Sequence, residues 1–407
     1  MQKKTVCVVG MGYIGLPTAA LLASHGFNVV GVDLNVNVVE IINQGHIHIV
    51  EPDLDAFVRS AVAAKRLTAY TTPRPSDVYM ICVPTPFHEI IGIPQPNIDY
   101  VLAATRSIAE FVKPGDLVIL ESTSPVGTTE KIGAVLNDVG VETSQIHIAY
   151  CPERVLPGKI MTELVENDRV IGGLTPLATK VVSSFYRTFV RGTVLETDAR
   201  TAEMCKLTEN SFRDVNIAFA NELSILCAMF GIDVWNLISL ANRHPRVNIL
   251  QPGAGVGGHC IAVDPWFIVA RDPENARIIR TAREVNNFKT KWVIDQIKIA
   301  VADVSKRTGR KPKIACLGLA FKPDIDDLRE SPAVLIIDEL LSKGNDVVAV
   351  EPNIEKHDKF ILVSLEYALK TADVIAVLVK HREFLDDAVK ATLFQRSAMD
   401  FCGVGLG

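Results

Sequence analysis

The sequence predicts an α/β protein in which two doubly wound parallel-sheet domains are joined by a long central helix and a helical region. Two observations support this: short β-branched runs alternate with helical patterns towards both ends of the chain, and the span from Thr193 to Phe230 contains neither Gly nor Pro. A chain of 407 residues has room for two or three compact domains. We therefore assign residues 1–195 to an N-terminal domain, 196–305 to a central helical region and 306–407 to a C-terminal domain.

The N-terminal domain is predicted to hold a parallel sheet built from βαβ units. Its candidate strands are the short apolar runs Thr5–Val9, Asn28–Val32, Val78–Val83, Leu117–Glu121 and Ile146–Tyr150.

The central helix is predicted to occupy most of the span from Thr193 to Phe230, with Asp198 as its N-cap and Gly231 as its stop. At roughly 1.5 Å per residue it would be about 50 Å long. Because that exceeds the thickness of one small domain, we expect the helix to bridge domains or to pack against a second subunit.

A second α/β pattern is predicted after a Gly-rich loop and a further helical stretch. The polar segment 306–313 is interpreted as a linker. The elements expected after it are the strands Lys313–Gly318, Asp346–Val350 and Val374–Val379 and the helix Pro332–Leu341.

Charge and hydropathy exclude several classes of protein. The net charge of −5 argues against binding to nucleic acid or to an anionic membrane, and the absence of an uncharged apolar run of 18 residues argues against membrane insertion. Eight scattered cysteines without a CxxC pair favour reduced thiols and a cytoplasmic location. Lys3 and Lys4 before an apolar run could mimic a secretory signal, but the glycines in that run fit a strand-to-helix turn better.

A dinucleotide site is predicted at the first turn. Gly10, Gly12 and Gly15 form a G-x-G-x-x-G between a predicted strand and a predicted helix, which permits a tight turn, a close approach of a pyrophosphate and close helix packing. Asp33 ends the second predicted strand, at the distance expected for a ribose-binding acid, and would favour NAD over NADP. A structural turn followed by a solvated aspartate is the alternative.

Three polar residues, Lys206, Asn210 and Arg213, are spaced along one stripe of the central helix. Spacing alone favours a solvated face, whereas their place in the middle of a largely covered helix favours a functional site.

Cys260 follows a loop with four glycines, and Asp264 lies four residues later. A small buried hydrophobe is the usual interpretation of a lone cysteine, but the Gly-rich approach favours a nucleophile. His259 has no partner at zinc spacing, and His46 and His48 are interpreted as loop residues, so no metal is predicted.

Eight longer motifs extend the pattern over nearly the whole chain. They are Gly-Tyr-Ile-Gly-Leu-Pro-Thr (12–18), Val-Pro-Thr-Pro (83–86), Glu-Ser-Thr-Ser-Pro-Val-Gly (121–127), Cys-Pro-Glu-Arg (151–154), Lys-Leu-Thr-Glu-Asn (206–210), Ala-Asn-Arg-His-Pro-Arg-Val-Asn (241–248), Gly-Val-Gly-Gly-His-Cys-Ile (255–261) and Gly-Leu-Ala-Phe-Lys-Pro (318–323). Together they resemble the nucleotide-sugar 6-dehydrogenases of the UDP-glucose/GDP-mannose dehydrogenase family. The resemblance implies a Rossmann domain for NAD, a helical region for dimerisation and catalysis, and a Rossmann-like domain for the UDP moiety.

The resemblance also implies a reaction: the C6 hydroxyl of a nucleotide-linked sugar is oxidised to a carboxylate in two NAD-dependent steps without release of the aldehyde. Cys260 matches the nucleophile, which forms a thiohemiacetal and then a thioester that water hydrolyses. Lys206 matches the acid/base and oxyanion-stabilising residue, with Asn210 as a donor beside it. Glu153 and Asp264 resemble the groups that handle protons and water. Thr123 resembles part of the nicotinamide and water environment.

Further contacts are implied position by position. NAD contacts are implied for Tyr13, Ile14, Asp33, Thr85, Thr123 and Arg329, in addition to the glycines of the first turn. Substrate contacts are implied for Arg154, Val155, Lys206, Asn210, Arg213, His244, Arg246, Gly257, Phe321 and Lys322. In the family the arginine at the Arg246 position comes from the neighbouring subunit, which implies a homodimer. Cys402 stands where the family usually has a basic residue, so one phosphate or substrate contact stays open.

The resemblance favours UDP-N-acetyl-α-D-mannosamine as the substrate and implies that its uronate product feeds synthesis of a bacterial surface polysaccharide such as a capsule or enterobacterial common antigen. UDP-N-acetylglucosamine, UDP-glucose and GDP-mannose remain alternatives. Two rival hypotheses are a two-electron dehydrogenase of a small hydroxy acid, which would not need Cys260, and a non-catalytic NAD-sensing regulator, in which Lys206 and Cys260 would only pack.

Overall fold

The computed structural model describes residues 4–88, 92–156, 158–258 and 260–405. Internal contacts divide the chain into two compact units, one ending at Glu209 and the other beginning at Asn210. Both units contain parallel strands and helices, so the predicted α/β class, with two doubly wound sheets, is confirmed. Among the described residues, no helix is both long and apolar enough to cross a membrane.

The first unit is built around an eight-stranded sheet with helices on both faces. The strands of this sheet are β1 Thr5–Val9, β2 Asn28–Val32, β3 Leu67–Tyr70, β4 Val78–Ile81, β7 Leu117–Leu120, β8 His147–Tyr150, β9 Arg169–Gly173 and β10 Val194–Asp198. Two further short strands of the unit, β5 Phe87–His88 and β6 Gln95–Pro96, pair with each other in a separate hairpin. Its helices are α1 Gly15–Ser24, α2 Val36–Asn43, α3 Leu54–Ala63, α4 Asp99–Ile108, α5 Thr128–Asp138, α6 Ile160–Glu166 and α7 Pro176–Tyr186. Short 3-10 turns lie at Ala109–Phe111 and Thr143–Gln145.

The strand order of this sheet is β10-β9-β8-β7-β4-β1-β2-β3. Within this sheet, only the β8–β9 pairing is antiparallel among the described pairs. Six neighbouring strands, in the spatial order β8-β7-β4-β1-β2-β3, therefore follow the doubly wound order. The order reverses between β1 and β4, and in such sheets a dinucleotide binds there, at the carboxyl ends of the strands.

Each face of this sheet buries its own apolar cluster. Val6 and Val8 belong to one cluster, whereas Cys7 and Val9 belong to the other. Because successive side chains of a strand point to opposite faces, a strand covered on both sides is a continuous apolar run, as β1 is.

Two long helices dominate the middle of the sequence. Helix α8, Ala199–Phe230, crosses the division between the units, and α11, Arg277–Thr308, belongs to the second unit. The predicted central helix is confirmed as Ala199–Phe230, and the predicted N-cap Asp198 accepts the Thr201 N–H at 3.0 Å. Val194–Asp198, for which no strand was predicted, forms β10. The C-terminal end of α11 extends to Thr308, so residues 306–308 of the predicted linker are helical.

The second unit contains a four-stranded parallel sheet in the order β12-β11-β13-β14. Its strands are β11 Lys313–Leu317, β12 Asp346–Val350, β13 Val374–Val377 and β14 Met399–Asp400. Its remaining helices are α9 Val234–Ala241, α10 Asp264–Arg271, α12 Pro332–Ser342, α13 Leu365–Thr371 and α14 Asp387–Gln395, with a 3-10 turn at Arg382–Phe384. Helix α12 begins with Ser331 as N-cap and Pro332 at its first position, an arrangement that satisfies helix N-termini.

Candidate active site

The glycine loop after β1 has the geometry that a pyrophosphate requires. Gly10 has a φ of 94°, and a Cβ there would lie 2.7 Å from the Cys82 carbonyl oxygen. A Cβ at Gly15 would lie 1.7 Å from the Gly10 carbonyl oxygen, so only glycine allows α1 to begin this close to the strand. At Gly12 a Cβ would meet no described atom within 4 Å. The loop therefore has open space beside a helix N-terminus, which fits a dinucleotide phosphate.

Asp33 is fixed at the end of β2, beside this loop. Its Oδ2 accepts the Met11 N–H at 3.1 Å, and its Oδ1 accepts the Asn35 N–H at 2.9 Å. The side chain is half-buried, and Tyr13 and Ile14 lie in the same loop with their side chains exposed and half-buried, respectively. The residues predicted to bind NAD at the first turn are thus brought together at the carboxyl ends of β1 and β2.

The loops after β4 and β7 meet at the same edge of the sheet. Thr85 Oγ1 donates to the Thr123 carbonyl oxygen at 2.6 Å, and Ser122 Oγ donates to the Val83 carbonyl oxygen at 2.7 Å. Thr85 and Thr123, both predicted to contact NAD, are therefore neighbours. This follows from the parallel topology, which places the ends of β4 and β7 side by side.

Glu153, which follows β8, is held by a buried arginine. Its Oε2 accepts Arg169 Nη1 at 2.6 Å, and its Oε1 accepts the Arg154 N–H at 2.6 Å. The Glu153 and Arg169 side chains are 5% and 1% exposed. Because both carboxylate oxygens are engaged, Glu153 has a fixed orientation.

A second buried carboxyl group, Glu121 at the end of β7, lies in the same cluster. Its Oε1 accepts the Tyr186 hydroxyl at 2.6 Å, and its Oε2 accepts the Cys82 thiol at 3.3 Å. Burial and the charge of Glu153 raise the pKa of Glu121 to about 7, against the opposing effect of Arg169. Glu121 and Arg169 were not predicted from the sequence as site residues. Glu121 ends a predicted strand, a position similar to that of Asp33, which follows one.

Arg154 and Val155 continue the chain from Glu153. The Arg154 guanidinium pairs with Glu209, with Nη2 2.7 Å from Oε1, and its Nη1 donates to the Asp168 carbonyl oxygen at 3.2 Å. Arg154 and Val155 are half-buried. Arg154 is thus held at the edge of the site, with its charge shared by an acidic partner.

The stripe on α8 is not a uniformly solvated face. Lys206 and Asn210 are 8% and 7% exposed, whereas Arg213 is exposed. The solvated-face alternative is therefore wrong for Lys206 and Asn210. Asn210 Nδ2 donates to Asp264 Oδ2 at 2.5 Å, which joins two of the predicted catalytic residues.

Cys260 lies in the turn that leads into α10, and it is exposed. Its carbonyl oxygen accepts the N–H groups of Val263 at 3.1 Å and Asp264 at 2.8 Å. The residue thus stands at the N-terminal end of α10, where the helix dipole favours a negative charge. The alternative of a buried small hydrophobe is wrong for Cys260.

The glycine loop before Cys260 packs on the loop after β11. A Cβ at Gly257 would lie 2.9 Å from Phe321 Cβ and 2.4 Å from the Glu330 carbonyl oxygen, and one at Gly258 would lie 2.8 Å from Phe321 Cε2. Two predicted substrate contacts, Gly257 and Phe321, are therefore neighbours, and Lys322 follows with an exposed side chain.

The other predicted basic contacts of the second unit are exposed. Arg329 is ion-paired with Asp327, with Nη2 2.5 Å from Oδ2. His244 and Arg246 lie after α9, where His244 Nδ1 accepts the Arg246 N–H at 3.3 Å. Cys402 is half-buried, and its thiol donates to the Val377 carbonyl oxygen at 3.7 Å.

A buried acid that the sequence analysis missed stands at the end of β12. Oε2 of Glu351 accepts the N–H groups of Leu319 and Ala320 at 2.7 and 3.0 Å, and its Oε1 accepts the Asn353 N–H at 3.0 Å. His381 Nε2 lies 3.0 Å from Oε2. Burial would raise the pKa of Glu351, but these hydrogen bonds outweigh it and lower the pKa to about 2.

Metal binding has no support in the described part of the chain, where no group of three or more His, Cys, Asp or Glu could hold an ion. His259, considered and rejected as a ligand, lies outside the described residues. His48 Nδ1 is buried without a hydrogen-bond partner among the described residues, and His46 is exposed.

Models of known protein families match nearly the whole chain. Three domains of the UDP-glucose/GDP-mannose dehydrogenase family match the chain in order: the NAD-binding domain at residues 4–190, the central domain at 200–288 and the UDP-binding domain at 315–404. The chain belongs to this family. It is an NAD-dependent nucleotide-sugar dehydrogenase, as the sequence predicted, and the rival hypotheses of a hydroxy-acid dehydrogenase and of a regulator are not supported.

Curated relatives match over nearly the whole chain. UDP-N-acetyl-D-mannosamine dehydrogenase from Escherichia coli K12 is 57% identical over 404 residues, covering 94% of this chain and 95% of the relative. The enzyme of that name from Campylobacter jejuni is 55% identical, with 95% and 97% covered. An NDP-N-acetyl-D-galactosaminuronic acid dehydrogenase from Ralstonia nicotianae is also 55% identical, with 94% and 92% covered.

Solved structures show the same fold. The UDP-D-ManNAc dehydrogenase from Pyrococcus horikoshii is 38% identical with a TM-score of 0.86, covering 98% of this chain and 96% of that one. The UDP-N-acetyl-mannosamine dehydrogenase from Staphylococcus aureus is 44% identical with a TM-score of 0.84, and the coverages are 94% and 90%.

Proposed function

We propose that the protein oxidises C6 of UDP-N-acetyl-α-D-mannosamine to a carboxylate through a covalent intermediate on Cys260. The observation that carries the proposal is the grouping of Cys260, Asp264 and Asn210 at the start of α10, where the Asn210–Asp264 bond fixes a carboxylate four residues from an exposed thiol. Several relatives at 55–57% identity bear the name of this substrate. The relative named for an N-acetylgalactosaminuronic acid keeps a second nucleotide sugar as the alternative.

The two oxidations need different work from the protein. In the first, the C6 hydroxyl loses a proton and a hydride, and the aldehyde stays bound. In the second, the Cys260 thiolate adds to the aldehyde carbon, and loss of hydride from the thiohemiacetal gives a thioester that water cleaves. Bound NAD supplies the hydride acceptor in both oxidations. Two NADH and three protons are released for each carboxylate formed at neutral pH.

We assign proton handling to the buried polar residues. Lys206 lies one helical turn before Asn210, and its ammonium and the Asn210 amide are suited to stabilise the oxyanions of the alkoxide and thiohemiacetal. Glu153 is held by Arg169 in one orientation, which suits a group that directs water. Asp264, whose Oδ2 orients Asn210, is assigned the proton released by the thiol.

Substrate binding is assigned to cationic and backbone groups, because a diphosphate requires them. Exposed side chains that could reach it are Arg213, His244, Arg246 and Lys322. We also infer that the enzyme acts in the cytoplasm, which the scattered cysteines support.

We further propose a homodimer in which Arg246 completes the neighbouring site. An apolar stripe supports it: Phe212, Phe219, Leu226 and Phe230 are spaced by seven and four residues on α8, and they are 68%, 53%, 37% and 65% exposed. Light scattering should give a dimer for the wild type and a monomer for Phe219→Glu. Mixing the inactive variants Arg246→Ala and Cys260→Ala should restore activity if Arg246 acts in the partner's site, because one site of each mixed dimer is then intact. No restoration would place Arg246 in its own subunit's site.

The chemistry is tested by the number of NADH formed per sugar consumed. UDP-N-acetylmannosamine, UDP-N-acetylglucosamine, UDP-N-acetylgalactosamine, UDP-glucose and GDP-mannose are supplied to the purified protein in parallel. A ratio of two confined to UDP-N-acetylmannosamine is expected. Cys260→Ala should form no uronate while binding NAD as the wild type does, because the glycine loop and Asp33 are unchanged. Uronate formation by Cys260→Ala at the wild-type rate would remove the thiol from the reaction.

A further inference from the structure

The described residues of the nucleophile loop, 253–258 and 260–263, are hydrogen-bonded to the two long helices on both sides of Cys260. On α8, Asn221 Oδ1 accepts the Gly253 N–H at 2.9 Å. On α11, Arg283 Nη1 donates to the Ile261 carbonyl oxygen at 3.4 Å. One anchor therefore lies at the start of the loop, and the other lies immediately after the nucleophile.

The two anchors belong to one buried network. Asp214 Oδ1 accepts Arg283 Nη1 at 2.7 Å and Asn286 Nδ2 at 2.8 Å. Asn286 Oδ1 in turn accepts Asn221 Nδ2 at 2.8 Å. All four side chains are at most 2% exposed. Hydrogen bonds thus connect Asp214 and Arg283 to the loop at Gly253 and at Ile261.

This network is not optimised for stability. Asp214 Oδ2 and Arg283 Nε are buried and have no hydrogen-bond partner within the described residues. A buried ion pair that leaves polar atoms unsatisfied is commonly no more stable than an apolar pair of the same size. The charged group that acts on Asp214 is Arg283, and burial raises the pKa of Asp214 to about 6 despite Arg283 and Asn286.

We propose that Asp214, Arg283, Asn286 and Asn221 are positioning residues that hold the nucleophile loop in the geometry in which the Cys260 thiol attacks. The inference rests on the proposed role of Cys260. None of the four residues touches the substrate in this scheme. Their effect is on orientation, to which covalent catalysis is sensitive because small displacements of a reacting atom slow the reaction strongly.

The test uses two readouts on the full chain. The first is the rate at which iodoacetamide alkylates Cys260, measured by mass spectrometry of the peptide that contains it, without substrate or turnover. The second is the separation of kcat from the KM values for NAD and for the nucleotide sugar. Asp214→Asn keeps the shape of the side chain and removes its charge, so Arg283 loses its counter-ion and its hold on Ile261.

For Asp214→Asn we expect kcat to fall by about tenfold or more and the alkylation rate to change by a similar factor, with the KM for NAD unchanged. Wild-type alkylation, corrected for the rate of a free thiol at each pH, should also show a step near pH 6 that the variant lacks. Lys291→Met is the control on the same helix, because Lys291 is exposed on α11. It should leave both readouts within about twofold of the wild type.

A folded Asp214→Asn variant with wild-type kcat and alkylation rate overturns the proposal. If that variant does not fold, Asn221→Ser replaces it, because this change removes the acceptor of the Gly253 N–H and keeps the Asp214–Arg283 pair. Unchanged alkylation in Asn221→Ser would be equally decisive against positioning. Cys260→Ala distinguishes failure of the proposed function from failure of the positioning proposal. If that variant still forms uronate, the thiol has no role in the reaction, whatever the loop variants show.

Discussion

Lys289 on α11 offers the most direct test of the energetics of the second unit. Its Nζ donates to Ser224 Oγ at 2.7 Å and lies 4.0 Å from the centre of the Trp292 ring, and the residue is 2% exposed. Burial lowers the pKa of Lys289 from 10.5 to about 7. Because the unfolded chain then binds more protons between these pH values, wild-type stability should rise as the pH increases from about 7 to 10.5.

The magnitude follows from the two pKa values. At about 1.4 kcal/mol per pH unit, the difference between 10.5 and 7 corresponds to at most roughly 5 kcal/mol, of which about 3 kcal/mol falls between pH 7 and pH 10. Lys289→Met keeps the length of the side chain, fills the same space beside Trp292 and removes the titrating group. The Ser224 hydroxyl still donates to the Asn221 carbonyl oxygen at 2.6 Å, so it is not left unsatisfied.

The assay is urea unfolding at pH 7 and pH 10, followed by far-UV circular dichroism and tryptophan fluorescence. The difference in unfolding free energy between Lys289→Met and the wild type should move by about 3 kcal/mol in favour of the wild type as the pH rises. Lys291→Met is the control, because Lys291 is exposed on the same helix, and its effect should stay within about 0.5 kcal/mol. If the free energies of unfolding of Lys289→Met and the wild type change by the same amount between pH 7 and pH 10, the assignment of a low pKa to the buried amine is refuted.

Two further variants probe the acids at the strand ends. Asp33→Ala should weaken NAD binding and reduce the preference for NAD over NADP, measured as the ratio of kcat/KM values; an unaltered ratio would move the ribose contact elsewhere. Glu351→Gln should destabilise the second unit at pH 7, because an ionised Glu351 with a lowered pKa contributes stability above its unfolded value near 4.5 and loses it as the pH falls towards 2. The advantage of the wild type over Glu351→Gln in urea unfolding should therefore shrink by more than half between pH 7 and about pH 3, and a constant difference would contradict the hydrogen-bond account.

The strands that the sequence located best are those with clear boundaries. β1, β2 and β12 match their predicted ranges because β-branched runs end at Gly, Asp or Glu in each case. No strand was predicted at the position of β10, because no Gly or Pro separates Val194–Asp198 from α8. Its pairing with β9 is a long-range contact that local pattern does not encode.

Within the candidate site, the glycines and Asp33 were predicted because their spacing has a direct physical meaning, and Cys260 was predicted because it follows a Gly-rich loop. Arg169 and Arg283 were missed because an isolated arginine in a sequence is usually exposed, and only the fold shows that each is buried against a carboxylate. Buried ion pairs depend on partners far apart in the chain, so single-sequence reasoning has little access to them. The roles predicted for the catalytic residues remain predictions until the variants are measured.

The buried carboxylate of Glu351 sets the place of a loop. Asp33 and Glu351 both accept backbone N–H groups with both carboxylate oxygens, but Asp33 is half-buried, whereas Glu351 is 6% exposed and also lies against His381. Oε2 of Glu351 accepts the N–H groups of Leu319 and Ala320, which immediately precede Phe321 and Lys322. The loop that carries these two predicted substrate contacts is therefore fixed by an acid at the end of the neighbouring strand.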